Sequence, residues 1–202
     1  MLASDLPPGD KWRRFELKAL GLRDFALVAR HQPLNPFDLA RFANLIVIRF
    51  DQIELLSDSA REHLLGAAVD TWSGGACTLP TGTKLVILNP KHGRARTNAT
   101  LMEEICHVFL GHEPNRLSVV TKDSRGRVMA RDYRKTDEEE AYGVGAASLV
   151  PYASLRKFLL QGKNSGEIAG HFRVSRELVE YRMKVTKLWS EFKAMSATDK
   201  HK

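Results

Sequence analysis

The stretch Thr97 to His112, TNATLMEEICHVFLGH, is apolar on almost every side, because Leu101, Met102, Ile105, Cys106, Val108, Phe109 and Leu110 leave no polar face. A helix without a polar face belongs in an interior, so the rest of the chain has to wrap around this segment. Three ionisable side chains ride on it: Glu103, Glu104 and His107. An ionised carboxylate in such surroundings is costly unless it is paired, hydrogen-bonded or bound to a metal. Glu103 and His107 are four apart and stack on one helix face, at the separation of two ligands of one ion. Glu104 projects beside that face, where a carboxylate can take a proton from water. This is the layout of H-E-x-x-H with its first histidine replaced by glutamate. A competing reading makes Thr100 and Glu103 a T-x-x-E capping box and pairs Glu104 with His107 as a buried ion pair.

A third ligand has to come from elsewhere, and the run Glu138-Glu139-Glu140 is the obvious acidic source. The run also reads as ordinary acidic decoration of a helix start, with Thr136 and Glu139 as its capping box. Spacing alone does not choose among the three glutamates.

Composition narrows the class. The chain has 202 residues, 43% of them hydrophobic, and two cysteines, Cys77 and Cys106, without C-x-x-C spacing. It is long enough to bury a core without disulfides, and neither a secreted cystine scaffold nor a cysteine zinc knuckle is available. The N-terminal segment has acids and prolines where a signal core would be apolar, and no membrane span is present, so a cytoplasmic protein is expected. Of the net charge of +7, residues 151–202 carry +6 and residues 1–150 carry +1. Basicity gathered in a tail is a footprint of nucleic-acid contact, or simply the solvated face of a small helical unit.

Around the central helix the pattern predicts one or two opening helices over residues 11–31 broken near Gly21, a helix from Asp38 to Ala43, a buried strand from Leu45 to Phe50, and an amphipathic helix from Ser57 to Ala68 with Leu64 and Leu65 inward. Gly75 to Leu79 and Lys84 to Leu88 form a hairpin about Pro80-Thr81-Gly82. A second hairpin spans residues 117–133 around Asp123 to Gly126. A helix from Thr136 is stopped by Pro151, and its small residues permit close packing.

Three segments in this order resemble the ImmA/IrrE family of small, gluzincin-like metallopeptidases, often encoded beside phage or mobile-element repressors. Ser73-Gly74 with LVILNP resembles the family's substrate-side hairpin. TNATLMEEICHVFLGH resembles its active helix, F-T-x-x-H-E-x-x-H followed by a further histidine. EEEAYGVGAASLVP resembles its glutamate helix, E-x-x-A-N-x-F-A-x-x-L-L-x-P. The likeness covers roughly residues 36–190.

The resemblance implies an α+β fold: a mostly helical minimal metallopeptidase domain, residues 1–151, with a small antiparallel or mixed sheet, and a basic helical subdomain, residues 152–202, ending in a short disordered tail. Matching Ala141, Ala146, Leu149 and Pro151 puts the family's glutamate ligand at Glu138. The implied site is Glu103, His107 and Glu138 around one divalent ion, zinc first with manganese or iron(II) as alternatives, and Glu104 as general base. His112 and Glu139 are left for an outer-sphere or replacement role; five residues past His107, His112 points about 140° away if the helix continues. The departure from the family is Glu103, because two carboxylates neutralise the charge of a divalent ion and weaken its pull on water.

Residues 165–188 read as helix, tight turn, helix, with Ser165 and Ser175 as N-caps. In a DNA reader Ser175, Arg176, Glu177 and Glu180 would face the groove, and Arg173, Arg176, Arg182, Lys184 and Lys187 supply the candidate nucleic-acid contacts. A packed structural subdomain is the other reading. The expected activity is metal-assisted hydrolysis of a peptide bond in a protein partner such as a co-encoded transcriptional repressor. The alternative is a non-catalytic, metal-binding regulator that binds DNA or a repressor.

Overall fold

The computed structural model describes residues 5–54, 57–112, 121–122, 128–129 and 134–190. Helix α1 (Asp10–Phe25) runs straight through Gly21, where a break was expected. Glycine costs a helix interior about 1 kcal/mol, too little to interrupt one that buries Phe15, Ala19, Leu20 and Leu22. The helix ends one turn later at Ala26, followed by Leu27 in the left-handed region at φ 54°. Helix α2 (Pro36–Phe42) starts on an Asn35 cap with proline in its first turn, a position where a missing N–H costs nothing.

Strand β1 (Ile46–Arg49) is an edge of a three-stranded sheet, with β3 (Lys84–Leu88) in the centre and β2 (Gly74–Thr78) on the other side. The hairpin of β2 and β3 is antiparallel, with Gly74 opposite Leu88 and Thr78 opposite Lys84. β1 pairs with β3 in parallel, Ile46 beside Leu85, which requires the crossover between them. That crossover holds α3 (Asp58–Glu62), a π turn (His63–Ala67) and a 3-10 turn (Val69–Thr71). The long helix expected over Ser57 to Ala68 is therefore cut short, and Leu64 and Leu65 are half-buried. Strands β4 (Thr121–Lys122) and β5 (Val128–Met129) pair antiparallel where the second hairpin was expected, and the turn at Asp123 to Gly126 lies outside the described residues.

Helix α4 (Arg94–Phe109) is the buried helix of the sequence, and α5 (Lys135–Leu149) packs along it. The close approach of α5 to α1 rests on a glycine: a Cβ at Gly143 would stand 2.5 Å from Phe15, whereas one at Gly145 would make only ordinary contact with Met102 and Cys106 of α4. A Cβ at Gly74 would lie 2.7 Å from Thr100, so only glycine lets β2 sit this tightly on α4. Burial and the nearby negative charges of Glu103 and Glu140 push the Cys106 thiol far above its ordinary value.

Three further helices complete the chain: α6 (Tyr152–Leu160), α7 (Ser165–Phe172) and α8 (Arg176–Val185). Asn164 rather than Ser165 caps α7, in a capping box with Glu167. Ser175 caps α8 as expected. Ile168, Phe172, Val179 and Met183 join Leu101, Met102 and Val144 in one hydrophobic cluster, so the core continues across position 151. Two buried arginines bind the helices together. Arg23 donates to the carbonyls of Ser148, Ala29 and Gln32, and burial lowers it to about 10 despite the opposing charges of Glu16 and Asp24. Arg182 donates to Glu16 Oε2 at 2.5 Å and to the Val150 carbonyl, and Glu16 Oε1 accepts the Tyr152 N–H. Residues 191–202, where the tail was expected, lie outside the described residues. Among the described residues no helix is long and apolar enough to cross a membrane.

Candidate metal centre

The site is carried by the two most tightly packed helices. α4 begins at Arg94 on a Gly93 cap, which places Thr100 in its second turn; the T-x-x-E capping box between Thr100 and Glu103 is thereby removed, because only the first turn has free N–H groups. α5 begins at Lys135 after Arg134 without a side-chain cap, so Thr136 and Glu139 do not form one either. Glu104 and His107 are buried at 3% and 4% exposure, and Glu103 and Glu138 are half-buried.

Glu103, His107 and Glu138 each offer one ligand atom, and these atoms lie within 4.8 Å of one another. His107 Nε2 stands 3.7 Å from Glu138 Oε1. Two ligands of one tetrahedral ion at about 2.1 Å stand about 3.4 Å apart, so the donor set suits a divalent cation after a small closure. The three consecutive glutamates diverge by about 100° each, and the structure separates them accordingly. Glu138 faces His107, Glu139 forms a surface ion pair with Lys11 of α1, and Glu140 meets His112 and Lys18. Glu139 thus faces Lys11 rather than the site, and Glu140 takes the outer position that was expected of Glu139.

His112 does not point away, because the helix does not continue. Gly111, at φ 69°, reverses the chain; its N–H donates to the Val108 carbonyl and the His112 N–H to the His107 carbonyl at 2.9 Å, a Schellman closure. The His112 ring is thereby laid over His107, with their Nδ1 atoms 3.1 Å apart. His112 Nε2 lies 3.2 Å from Glu140 Oε2, and Lys18 Nζ donates to Glu140 Oε1 at 2.5 Å. Burial alone would raise the Glu140 carboxyl, but the hydrogen bonds and charges of Lys18 and His112 outweigh it and hold the group below its ordinary value. The stabilisation from this link is therefore complete at neutral pH and is lost as pH falls through that lowered value.

Beside Glu103 opens a cleft of about 440 Å³ lined by Ser73, Arg96, Glu103, Tyr142, Ser175 and Glu177. Arg96 donates from Nε and Nη2 to Ser73 Oγ just ahead of β2. Burial, followed by the negative charge of Glu103, raises the Tyr142 hydroxyl. Sequence reasoning missed Lys18, Arg96, Tyr142 and Glu140 as neighbours of the site. Only Glu140 had a signal, its place in the glutamate run.

The start of α8, read as a groove-facing end, instead lines this cleft through Ser175 and Glu177. Arg182 is fully buried, which removes it from the candidate nucleic-acid contacts, because its guanidinium is committed to Glu16. Arg173, Arg176, Lys184 and Lys187 are exposed, with Arg176 paired to Glu180.

A family model described as the IrrE N-terminal-like domain, of the M78 peptidases, matches residues 60–184. No curated protein matches the chain significantly. The matched span contains both helices that supply the ligand group, and the family is metal-dependent. A match over more than half of the sequence, centred on a carboxylate and imidazole group, establishes that this chain belongs to the IrrE N-terminal-like family of M78 metallopeptidases.

Proposed function

We propose that the protein is an endopeptidase that cleaves a protein partner such as a transcriptional repressor, using one divalent ion, zinc first with manganese or iron(II) as alternatives, held by Glu103, His107 and Glu138. The observation that carries this reading is the convergence of those three ligand atoms within 4.8 Å inside the family's matched span. When bound there, the ion would supply Lewis-acid activation of water and of the scissile carbonyl. Glu104, one position along the helix from Glu103, takes the proton of the attacking water and returns it to the leaving amine. The cleft beside Glu103 receives the peptide, with Arg96 and Tyr142 on its walls. The acidic lining contributed by α8, and the burial of Arg182, favour this use of the C-terminal helices over DNA reading.

Two variants test the ligand set. Glu138→Ala should weaken zinc binding by more than the roughly 10–100-fold typical of an outer partner, whereas Glu139→Ala should leave it unchanged; competition against a chromogenic chelator reads both. A dominant Glu139 would show the third ligand to be misassigned. Glu103→His should bind zinc at least as tightly as the natural chain, and hydrolysis of a co-encoded repressor should be equal or faster, since a neutral ligand restores the ion's pull on water. If Glu103→His keeps its metal and fold but loses function, the glutamate has a chemistry of its own. A natural chain that holds the ion and cleaves nothing would favour the non-catalytic regulator.

A further inference from the structure

His107 uses its two ring nitrogens in opposite directions. Nε2 faces Glu138 at 3.7 Å, and Nδ1 faces His112 Nδ1 at 3.1 Å. Of two ring nitrogens at that distance one carries a proton and the other a lone pair. The other end of His112 decides which. Its Nε2 lies 3.2 Å from Glu140 Oε2, and an ionised carboxylate only accepts, so His112 carries its proton on Nε2. With a single proton on that ring its Nδ1 is the acceptor, and His107 donates from Nδ1. This leaves the lone pair of His107 on Nε2, aimed at the ligand group, which is the form in which an imidazole binds a cation. Lys18 of α1 donates to the second oxygen of Glu140 at 2.5 Å, so both oxygens of the carboxylate are engaged.

We infer that Glu140, acting through His112, fixes the tautomer and orientation of His107, with Lys18 as the anchor of that chain. The inference rests on the metal reading above. The three groups act through His107 and lie outside the ligand group, so they are positioning residues. They come from α1, from the reversal after α4 and from α5, which makes the set dependent on the packing of all three.

The test uses the full chain. In metal-free protein with ¹⁵N-labelled histidine at neutral pH, long-range ¹H–¹⁵N spectra should show His107 protonated on Nδ1 and His112 on Nε2; a proton on Nε2 of His107 would overturn the proposal. Cobalt(II), followed by its visible absorption, then probes the variants. His112→Phe and Glu140→Ala should each weaken cobalt binding by roughly 10–100-fold, and the double variant should be no weaker than His112→Phe alone, because Glu140 acts only through that ring. Glu140→Gln, whose amide oxygen still accepts the Nε2 proton, should recover most of the loss. Additive losses in the double variant, or no recovery in Glu140→Gln, would show that the carboxylate acts as a bulk charge or a packing group and would overturn the chain. Natural protein that binds no cobalt would sink the metal reading instead, while the tautomer measurement would still decide this one.

Discussion

Replacing His107 with alanine should abolish stoichiometric zinc and remove the metal-dependent part of the protein's stability. At zinc about 1,000-fold above its dissociation constant a bound ion adds about 4 kcal/mol, which in a chain of this length corresponds to roughly 8–16 °C in melting temperature. The natural protein should show that rise on adding zinc, and His107→Ala should show almost none. The loss follows from the geometry: Glu103 and Glu138 would be left facing each other without the imidazole that completes the group. Glu104→Gln should behave in the opposite way, keeping zinc and its thermal shift while slowing hydrolysis by roughly 10²–10⁴-fold, the usual worth of a general base. Metal analysis and scanning calorimetry with and without zinc separate the two. Equal zinc content in the natural chain and His107→Ala would eliminate the site.

The second large effect lies far from the metal. Glu16 and Arg182 are 1% and 0% exposed and bonded to each other, to the Val150 carbonyl and to the Tyr152 N–H. Removing one member of a buried pair strands the other and costs about 3–5 kcal/mol, or roughly 6–20 °C in melting temperature. The two deletions should not be equal. The negative charge of Glu16 also acts on buried Arg23, so Glu16→Ala strands Arg182 and removes a favourable charge from a second interior guanidinium, and should be the more damaging. Arg182→Ala leaves Glu16 its Tyr152 N–H and the attraction of Arg23. Denaturant titration gives both values, and a loss below 1 kcal/mol in Glu16→Ala would mean that the pair is solvated in solution.

The sequence made the middle of the molecule legible because local rules governed it. The apolar run of α4 specified a buried helix, and β3 was expected over the residues it occupies, since a β-branched run between turn residues has few alternatives. The grouping of Glu103 and His107 with Glu138 was within reach because helical spacing pairs the first two, and the resemblance of Ala141, Ala146, Leu149 and Pro151 to the family's glutamate helix supplies the third. What escaped depends on distant partners. Arg182 sits at a plausible surface position of an amphipathic helix, and only Glu16, 166 residues earlier, makes it an interior residue. The contact of His112 with His107 escaped, although an outer role had been expected of it, because continued helical geometry was assumed where Gly111 ends the helix and folds the chain back. Glu140 was passed over for Glu139 because the direction of each glutamate depends on where α1 lies, and Lys11 and Lys18 of that helix take one each.

The burial of Cys106 has a practical consequence. It stands one residue before His107 in the interior of α4, while Cys77 on β2 is exposed. A thiol reagent added to native protein should modify Cys77 at once and reach Cys106 only when α4 leaves the core. The chain thus carries its own clock for the opening of the helix that bears the ligands. The rate at which the second thiol disappears, followed in metal-free and zinc-loaded protein, reports how firmly an ion closes that helix into place, without any label or substrate.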